Sequence, residues 1–556
     1  MRPSALLRHR YAWAALAGLG LACAFPDIGI AGFAWVAPGA IAAAALAKAK
    51  GEAFRIGYVA GIAHYLLSLH WLLNIPYRWH GIPLGPAVGW IALSLFLALF
   101  PGLWVWFLFP TPAASPLAET LSPGPASATW SSRGLWCLSG AAAWVAMEML
   151  ISRIFTGFPW NLLGSSQFQM VPLIQIASVT GIYGVSFLAV WFGLCLLCAF
   201  LLVLRKPGQR SIWIADLLLP LLTLAVLFNV GLRLIRHEPP ATRQLRVAFV
   251  QPSIPQTLIW DSSRDDERFA EVIQLSRLAM TNQPDLLLWP EAAVPKLLRY
   301  FSDMLDPIAT LARTNHAWVI VGADDMEPAP SGAADDREYF NCSFLINPEG
   351  RLVNRYAKRR LVIFGEYIPL VRWLPFVKWF TPIEGGFTPG PGPVPFHLAN
   401  LGVNLSILIC FEDTFPHLAR RYVDKDTDFL VNLTNNGWFG EGAAQWQHAS
   451  AAVFRAIENG VPLLRCSNNG VTCWVDQHGR IHNLLFDAQG RIYGPATMTV
   501  QIPVPAPSQY SSRTIYHRYG DGFGWACVLW TLLQLGRRLL HKRLDAATKQ
   551  GSAWSV

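Results

Sequence analysis

Val403-Asn-Leu-Ser-Ile-Leu-Ile-Cys410-Phe-Glu412 is a nearly unbroken apolar run that ends in a thiol and then a carboxylate. Its length suits a strand better than a helix, and its continuity predicts a strand buried on both faces with both reactive groups at the tip. Asp285-Leu-Leu-Leu-Trp-Pro-Glu291 repeats the arrangement with a carboxylate at the tip, and Arg355-Tyr-Ala-Lys358 precedes Phe364-Gly-Glu366-Tyr-Ile-Pro369. Further short apolar runs lie at Arg246–Val250, Ala317–Val321, Cys342–Ile346 and Asp428–Leu433, with helical stretches such as Ser263–Met280 and Ala443–Asn459 between them. This alternation predicts an α/β domain beginning near Leu245. Strand tips in such folds carry chemistry because the sheet holds them rigid while loops admit a substrate.

Upstream the texture is different. Seven apolar segments are long enough to be membrane-span candidates: Tyr11–Phe25, Ile28–Leu46, Ile56–Leu73, Val88–Phe109, Leu135–Ile151, Val185–Leu204 and Ile212–Leu234. An eighth, Phe523–Leu535, is short, and Arg537 and Arg538 can extend it by snorkelling. Thr111–Gly134 is rich in Pro, Ser and Ala and reads as a flexible cytoplasmic insertion. Composition agrees with a membrane protein: 53% of the 556 residues are hydrophobic and only 14% are charged, which excludes a disordered chain. The net charge of +9 sits in short loops beside apolar runs, so it points to membrane orientation and away from nucleic acid. Arg2, Arg8 and Arg10, then Lys48, Lys50 and Arg55, then Arg205, Lys206 and Arg210, and finally Arg537, Arg538, Lys542 and Arg543 mark one side. By the positive-inside rule that side is the cytoplasm; Arg233 and Arg236 run against the bias. The first segment is expected to be an uncleaved span, because Gly20-Leu-Ala-Cys23 lacks the aliphatic residue of a lipoprotein cleavage site and more spans follow at once.

A thiol, a carboxylate and an ammonium form a workable set for acyl transfer. The thiolate attacks, the carboxylate takes its proton, and the ammonium stabilises the oxyanion of a tetrahedral intermediate. Each residue alone has an ordinary alternative as core, turn or surface. Among the nine cysteines no zinc spacing occurs, and Cys195 and Cys198, a CxxC pair within an apolar run, read as small buried hydrophobes. His64 and His70 read as packed or interfacial residues, and His448 as a structural hydrogen-bonding group.

Taken together these motifs resemble those of the apolipoprotein N-acyltransferases, the membrane-embedded family within the nitrilase (carbon–nitrogen hydrolase) superfamily. Gln251-Pro-Ser-Ile-Pro-Gln256 with Trp260 resembles the opening motif. Trp289-Pro-Glu291 resembles the general-base motif, Tyr356-Ala-Lys358 with Phe364-Gly-Glu366-Tyr367 the lysine motif, and Ile409-Cys-Phe-Glu412 the nucleophile motif. Asn435-Asn-Gly-Trp-Phe-Gly440, Gln445-Trp-Gln-His448, Arg465-Cys-Ser-Asn-Asn-Gly470 and Gly157-Phe-Pro-Trp160 match further motifs. Two departures stand out: Arg360-Leu-Val-Ile363 in place of His-Leu-Val-Pro, and Phe411 in place of the usual Tyr.

The resemblance implies a bundle of about eight transmembrane helices with an extracytoplasmic nitrilase-like α/β domain, an αββα sandwich. Expected boundaries are a transmembrane region at 1–240, a periplasmic catalytic domain at 244–506 and a C-terminal transmembrane helix at 518–540. It implies transfer of an acyl chain from a membrane phospholipid to the N-terminal amine of the S-diacylglyceryl cysteine of apolipoproteins, in the bacterial inner membrane. Glu291, Lys358 and Cys410 would be catalytic, with Glu366 and Glu412 in support. Trp160, Trp260, Phe364, Phe411 and Trp438 would border the acyl chain. No cofactor, metal or nucleic acid is expected. The alternatives are a membrane-tethered amidase that uses water as acceptor, and a non-catalytic binding protein, against which the intact Glu291, Lys358 and Cys410 argue. Finally, the aromatic, Gly- and Pro-rich segment Trp373–Pro391 is expected to form a mobile arm dipping toward the bilayer, with Gly385, Gly386 and Gly390 permitting the movement.

Overall fold

The computed structural model describes residues 9–46, 48, 50–76, 84–109, 129–205, 208, 210–236, 241–259, 261–329, 336–369, 386–505 and 513–552. The chain forms two compact units. The first comprises Met1–Ser68, Ala92–Leu232 and Tyr519–Val556; the second comprises Leu69–Ile91 and Arg233–Arg518.

The first unit is helical. Among the described residues, Gly85–Leu108, Trp130–Ile151, Ile182–Leu204 and Ser211–Arg236 are long and apolar enough to cross a membrane. At 1.5 Å per residue, 24 residues reach about 36 Å, against a hydrocarbon core of about 30 Å. Ser211–Arg236 leaves Leu218, Leu219, Leu221 and Leu222 exposed, a surface that suits lipid and not water. Close helix contacts depend on small residues: a Cβ on Gly39 would lie 2.3 Å from the Gly193 carbonyl oxygen, so Phe33–Ala44 and Ile182–Arg205 touch through glycine.

Three sequence expectations shift here. The first two segments are helical only over Arg10–Ala22 and Phe33–Ala44, because the chain turns through Pro26 and Gly29, the latter at φ +68. The third ends at Ser68 and not Leu73; His70–Asn74 is a separate 3₁₀ turn. The expected insertion at Thr111–Gly134 is too long at its end. Residues 110–128 lie outside the described ones, but Thr129 caps a helix by accepting the Ser132 N–H, so Trp130–Gly134 is helical. Arg133 is buried there and makes a bidentate pair with Asp216, at 2.8 and 3.0 Å.

The second unit is built on two six-stranded sheets. In chain order the strands are β1 Ala241–Gln251, β2 Leu286–Leu288, β3 Trp318–Pro328, β4 Arg337–Ile346, β5 Leu352–Ala357, β6 Pro395–Leu398, β7 Val403–Ile409, β8 Phe429–Thr434, β9 Leu463–Ser467, β10 Cys473–Val475, β11 Ile481–His482 and β12 Ala496–Pro505. One sheet runs β12-β1-β2-β3-β4-β5 and the other β11-β10-β9-β8-β7-β6. The centre of each is parallel: β1 with β2 and β2 with β3, β7 with β8 and β8 with β9. Those central strands are mostly apolar, as parallel strands covered on both faces are, with Asn432 of β8 and Arg465 of β9 as buried polar exceptions. The sheets meet at Cys466 on β9, whose thiol lies 3.5 Å from the Val250 carbonyl oxygen and 3.4 Å from that of Leu288.

Helix Asp265–Met280 packs on the first sheet through Phe269, Val272, Ile273, Ser276 and Met280, an i, i+3, i+4 stripe. Helix Ala443–Asn459 is almost wholly buried beside the second sheet. Both sequence-predicted helices therefore form, the first two residues shorter at its start, where Ser262–Arg264 is a 3₁₀ turn. The arrangement is a nitrilase-like α/β sandwich.

Candidate active site

Four elements of the second unit bring ionisable groups together. The chain leaving β2 is pinned by Trp289, whose N–H donates to the Ile320 carbonyl at 2.9 Å and whose indole donates to Ser276 at 2.8 Å. It then passes over Gly322 of β3 so closely that a Cβ there would lie 2.4 Å from the Pro290 carbonyl oxygen. This places Glu291, which is buried. Its Oε1 accepts from Asn341 Nδ2 at 2.8 Å and Lys358 Nζ at 3.1 Å, and its Oε2 accepts from the Asn435 N–H at 2.9 Å.

Lys358 follows β5. Its N–H donates to the Asn341 carbonyl and its carbonyl accepts from the Gly390 N–H, each at 2.8 Å. Its ammonium, 1% exposed, donates to Glu366 Oε1 at 2.8 Å. Glu366 is in turn held by Asn341 Nδ2 and the Val362 N–H, both at 2.8 Å. Asn341 bridges the two carboxylates, and the sequence reading missed it. The available signal was a polar residue just ahead of the buried run Cys342–Ile346 on β4.

Cys410 stands at the end of β7, buried, with φ +54. A non-glycine residue in the left-handed region costs about 1–2 kcal/mol and persists only where neighbours enforce it. Burial pushes its thiol up to about 12; Glu291 and Glu366 add to that, while Lys358 and Thr434 oppose it. Burial alone would lower the Lys358 ammonium, but Glu291, Glu366 and Cys410 outweigh it and hold Lys358 well above the usual range. The resting charges are thus one fixed cation between carboxylates, beside a protonated thiol.

Glu412 does a different job. Its Oε1 accepts the Arg359 and Arg360 N–H groups, both at 2.9 Å, and its Oε2 accepts that of Ile409 at 2.8 Å. The Tyr356 hydroxyl also reaches it, at 2.8 Å. One carboxylate thereby ties the end of β5 to the end of β7, and so the lysine-bearing turn to the cysteine-bearing one.

The aromatic candidates are dispersed. Phe411 meets Phe415 edge to face at 5.2 Å and lies 5.8 Å from Lys358 Nζ; the Arg360 guanidinium sits over the Phe415 ring at 4.8 Å. The two departures from the family pattern in this region, Arg360 and Phe411, therefore share one aromatic cluster. Phe364 is exposed at φ +61. Trp438 is half-buried on the turn Asn436–Phe439, whose Phe439 packs on Trp71 at 4.5 Å. Trp160 belongs to the first unit, buried and stacked on Phe158. Trp260 lies outside the described residues, as do 373–385 of the expected arm with Gly385. Gly390, expected to allow the arm to move, instead packs tightly: a Cβ on it would lie 2.1 Å from the Ala357 carbonyl oxygen. The Phe387 and Thr388 N–H groups bond to the Glu366 and Tyr339 carbonyls, so this end of the segment is anchored.

Both parts of the chain resemble known proteins. Residues 246–499 match the carbon-nitrogen hydrolase family, and residues 17–195 match the apolipoprotein N-acyltransferase N-terminal domain. An apolipoprotein N-acyltransferase of Geobacter metallireducens is 34% identical over 537 residues, covering 94% of each chain. One of Vibrio cholerae is 31% identical, covering 77% of this chain and 79% of its own. Among solved structures, an amidase from Nesterenkonia sp. is similar at 17% identity and a TM-score of 0.34, over 49% of this chain and 95% of that one.

Proposed function

The chain belongs to the apolipoprotein N-acyltransferase family, and from that premise we propose that it carries an acyl chain from a membrane phospholipid to an apolipoprotein through a thioester on Cys410. In the first half-reaction Glu291 takes the Cys410 proton as Sγ attacks an ester carbonyl of the phospholipid. The oxyanion is stabilised by Lys358. The intermediate collapses, the lysophospholipid alkoxide takes the proton back from Glu291, and the acyl group stays on sulfur. In the second, the free α-amine of the S-diacylglyceryl cysteine attacks the thioester, Glu291 takes the amine proton, and the thiol leaves with it. An ester and an amine become an alcohol and an amide.

The raised thiol supports this order of events. A thiol held near 12 is not a thiolate at neutral pH, so a base must act during attack, and of the two carboxylates bonded to Lys358 it is Glu291 that acts more strongly on the thiol. Glu366 positions Lys358, and Glu412 positions the two strand tips. Trp160, Trp260, Phe364, Phe411 and Trp438 are proposed to border the acyl chain. Keeping that chain in apolar surroundings avoids about 0.8 kcal/mol for each CH₂ otherwise exposed to water.

The N-terminal match favours transfer over the amidase alternative, since a hydrolase that adds water needs at most an anchor. We place the protein in the bacterial inner membrane with about eight transmembrane helices: 1–240 as the first transmembrane region, 244–506 as a periplasmic catalytic domain, and 518–540 as the last helix. The deciding experiment incubates the purified chain with phospholipid and a diacylglyceryl-cysteine peptide and follows the N-acyl product by mass spectrometry, with the adduct on Cys410 mapped in parallel. The expected result is a Cys410 thioester that the peptide discharges. Product at the native rate from Cys410→Ala, or a thioester that discharges only to water, would overturn the reading.

A further inference from the structure

The carbonyl oxygen of Cys410 points into the protein, where two side chains meet it. Asn432 Nδ2, from β8, donates to it at 2.9 Å, and His448 Nε2, from helix Ala443–Asn459, lies 3.2 Å away. His448 Nε2 also lies 2.7 Å from Asp413 Oδ1, in the turn after the nucleophile. Asp413 Oδ2 accepts from Arg465 Nη1 of β9 at 2.7 Å, and the same Nη1 donates to Asn432 Oδ1 at 2.8 Å. The circuit closes: Cys410 carbonyl, Asn432, Arg465, Asp413, His448 and back to the Cys410 carbonyl. The four side chains are at most 1% exposed.

Both neighbours of His448 Nε2 are acceptors, so that nitrogen carries a proton and donates. Its other ring nitrogen, Nδ1, lies 3.0 Å from Asn436 Oδ1, and burial lowers the His448 pKa, opposed by Asp413 and reinforced by Arg465. Buried charges of this kind are costly unless fully engaged, and an apolar filling would serve stability as well. What an apolar filling could not do is bond a backbone oxygen at the junction where β7 ends at Ile409 and Cys410, at φ +54, opens the 3₁₀ turn Cys410–Thr414. Two side chains from separate elements converge on that one oxygen.

We propose that Asn432, His448, Asp413 and Arg465 form a positioning ring for the nucleophile, fixing the Cys410 backbone in its left-handed turn and thereby the place of Sγ beside Glu291 and Lys358. The proposal rests on Cys410 being the nucleophile. These four residues touch no substrate; they act through Cys410.

The test uses the full-length chain in detergent with phospholipid and compares native protein, His448→Leu, His448→Gln and Asn432→Ala. Single-turnover thioester formation, KM for phospholipid and the melting temperature are read for each. The ring predicts that His448→Leu slows thioester formation by about 10²-fold, as a misplacement near 1 Å does, with KM unchanged. It also predicts that His448→Gln, which keeps a donor, recovers most of the loss. A folded His448→Leu that acylates at the native rate overturns the proposal. So does a loss shared between kcat and KM that tracks melting temperature and is not rescued by Gln. Should His448→Leu fail to fold, Asn432→Ala, which removes only one of the two donors, is held to the same criteria. A native chain that forms no Cys410 thioester would remove the acyl-transfer reading and the ring with it, whereas a native thioester that survives undiminished in the folded variants removes the ring alone.

Discussion

At the scale of single residues, the position of one proton decides the chemistry. With the Cys410 thiol pushed up to about 12, it is protonated at neutral pH. Lys358 cannot correct this by itself, because Glu291 and Glu366 already engage its charge. Glu291 therefore has two opposed effects: it makes the thiol harder to ionise at rest and removes its proton during attack. Glu291→Gln separates them. Acyl transfer should fall by about 10²–10⁴-fold, the usual worth of a general base. The pH midpoint for alkylation of Cys410 by iodoacetamide should nevertheless move down, since one negative charge is gone. An unmoved or higher midpoint would mean that Glu291 does not set the thiol's environment. Lys358→Ala should move the midpoint the other way and cost at least about 10²–10³-fold in thioester formation, measured in a single turnover. It should also lower stability by about 3–5 kcal/mol, because two buried carboxylates lose their cation.

At the scale of elements, β3 is the strand whose substitution is most informative. Gly322→Ala sets a Cβ 2.4 Å from the Pro290 carbonyl oxygen and 2.7 Å from Glu291 Cα, and both are backbone, so the strand tip must shift. We expect thioester formation to slow about tenfold or more and stability to fall by about 1–3 kcal/mol; a native single-turnover rate would show that this crossing does not place Glu291. Two residues on, Asp324 faces the same cluster. Burial raises it to about 7, reinforced by Glu366 and Glu291 and opposed by Arg268 and Lys358. A carboxyl raised in the folded state stabilises it at low pH and loses that contribution as pH climbs through the folded value. The melting temperature of Asp324→Asn should therefore gain on the native chain between about pH 4 and pH 7 and keep its lead above that; a lead that shrinks with rising pH would refute the assignment. What the sequence displayed of these elements follows from burial. β2, β7 and β8 are largely covered on both faces and read as mainly apolar runs, so the tips of β2 and β7, with Glu291 and Cys410, were legible. β5 is a partly exposed edge strand, and β12 carries Pro503 and Pro505, which weaken a strand pattern. β9 is fully buried yet contains Arg465, whose partner Asp413 is 52 residues away, a pairing that no local pattern reveals. The role of Asn341 was hidden for the same reason: its value lies in bridging Glu291 and Glu366, from two other segments.

At the scale of the whole molecule, the question is which side of the membrane the second unit occupies, and it reduces to parity. The helices Arg10–Ala22 and Phe33–Ala44 have 13 and 12 residues, about 20 Å each, too short to cross about 30 Å of hydrocarbon unaided. They form a consecutive pair, however. Whether both cross with the help of flanking residues or together make a re-entrant hairpin, the chain returns to the side it started from. Lys48, Lys50 and Arg55 then share the side of the basic N-terminus in either case, in keeping with the positive-inside rule. Lys50–Ser68, Gly85–Leu108, Trp130–Ile151, Ile182–Leu204 and Ser211–Arg236 follow. We propose that Lys50–Ser68 crosses together with the four helices that are long and apolar enough to span; five crossings then put the chain on the opposite side from Lys50, and the helix Gly522–Ser552 is proposed to bring its basic tail back. Reporter fusions after Lys50, Arg210 and the C-terminus should therefore read as cytoplasmic, and one after Val504 as periplasmic. A further fusion at Gly29, between the two short helices, separates the cases that parity cannot: a periplasmic signal there means that both helices cross, and a cytoplasmic or protected one means a hairpin. The Val504 result should be the same in both. A cytoplasmic reading at Val504 would require an even number of crossings between Lys50 and Arg236, and would place the Cys410 thiol on the wrong side for an acceptor delivered to the periplasm.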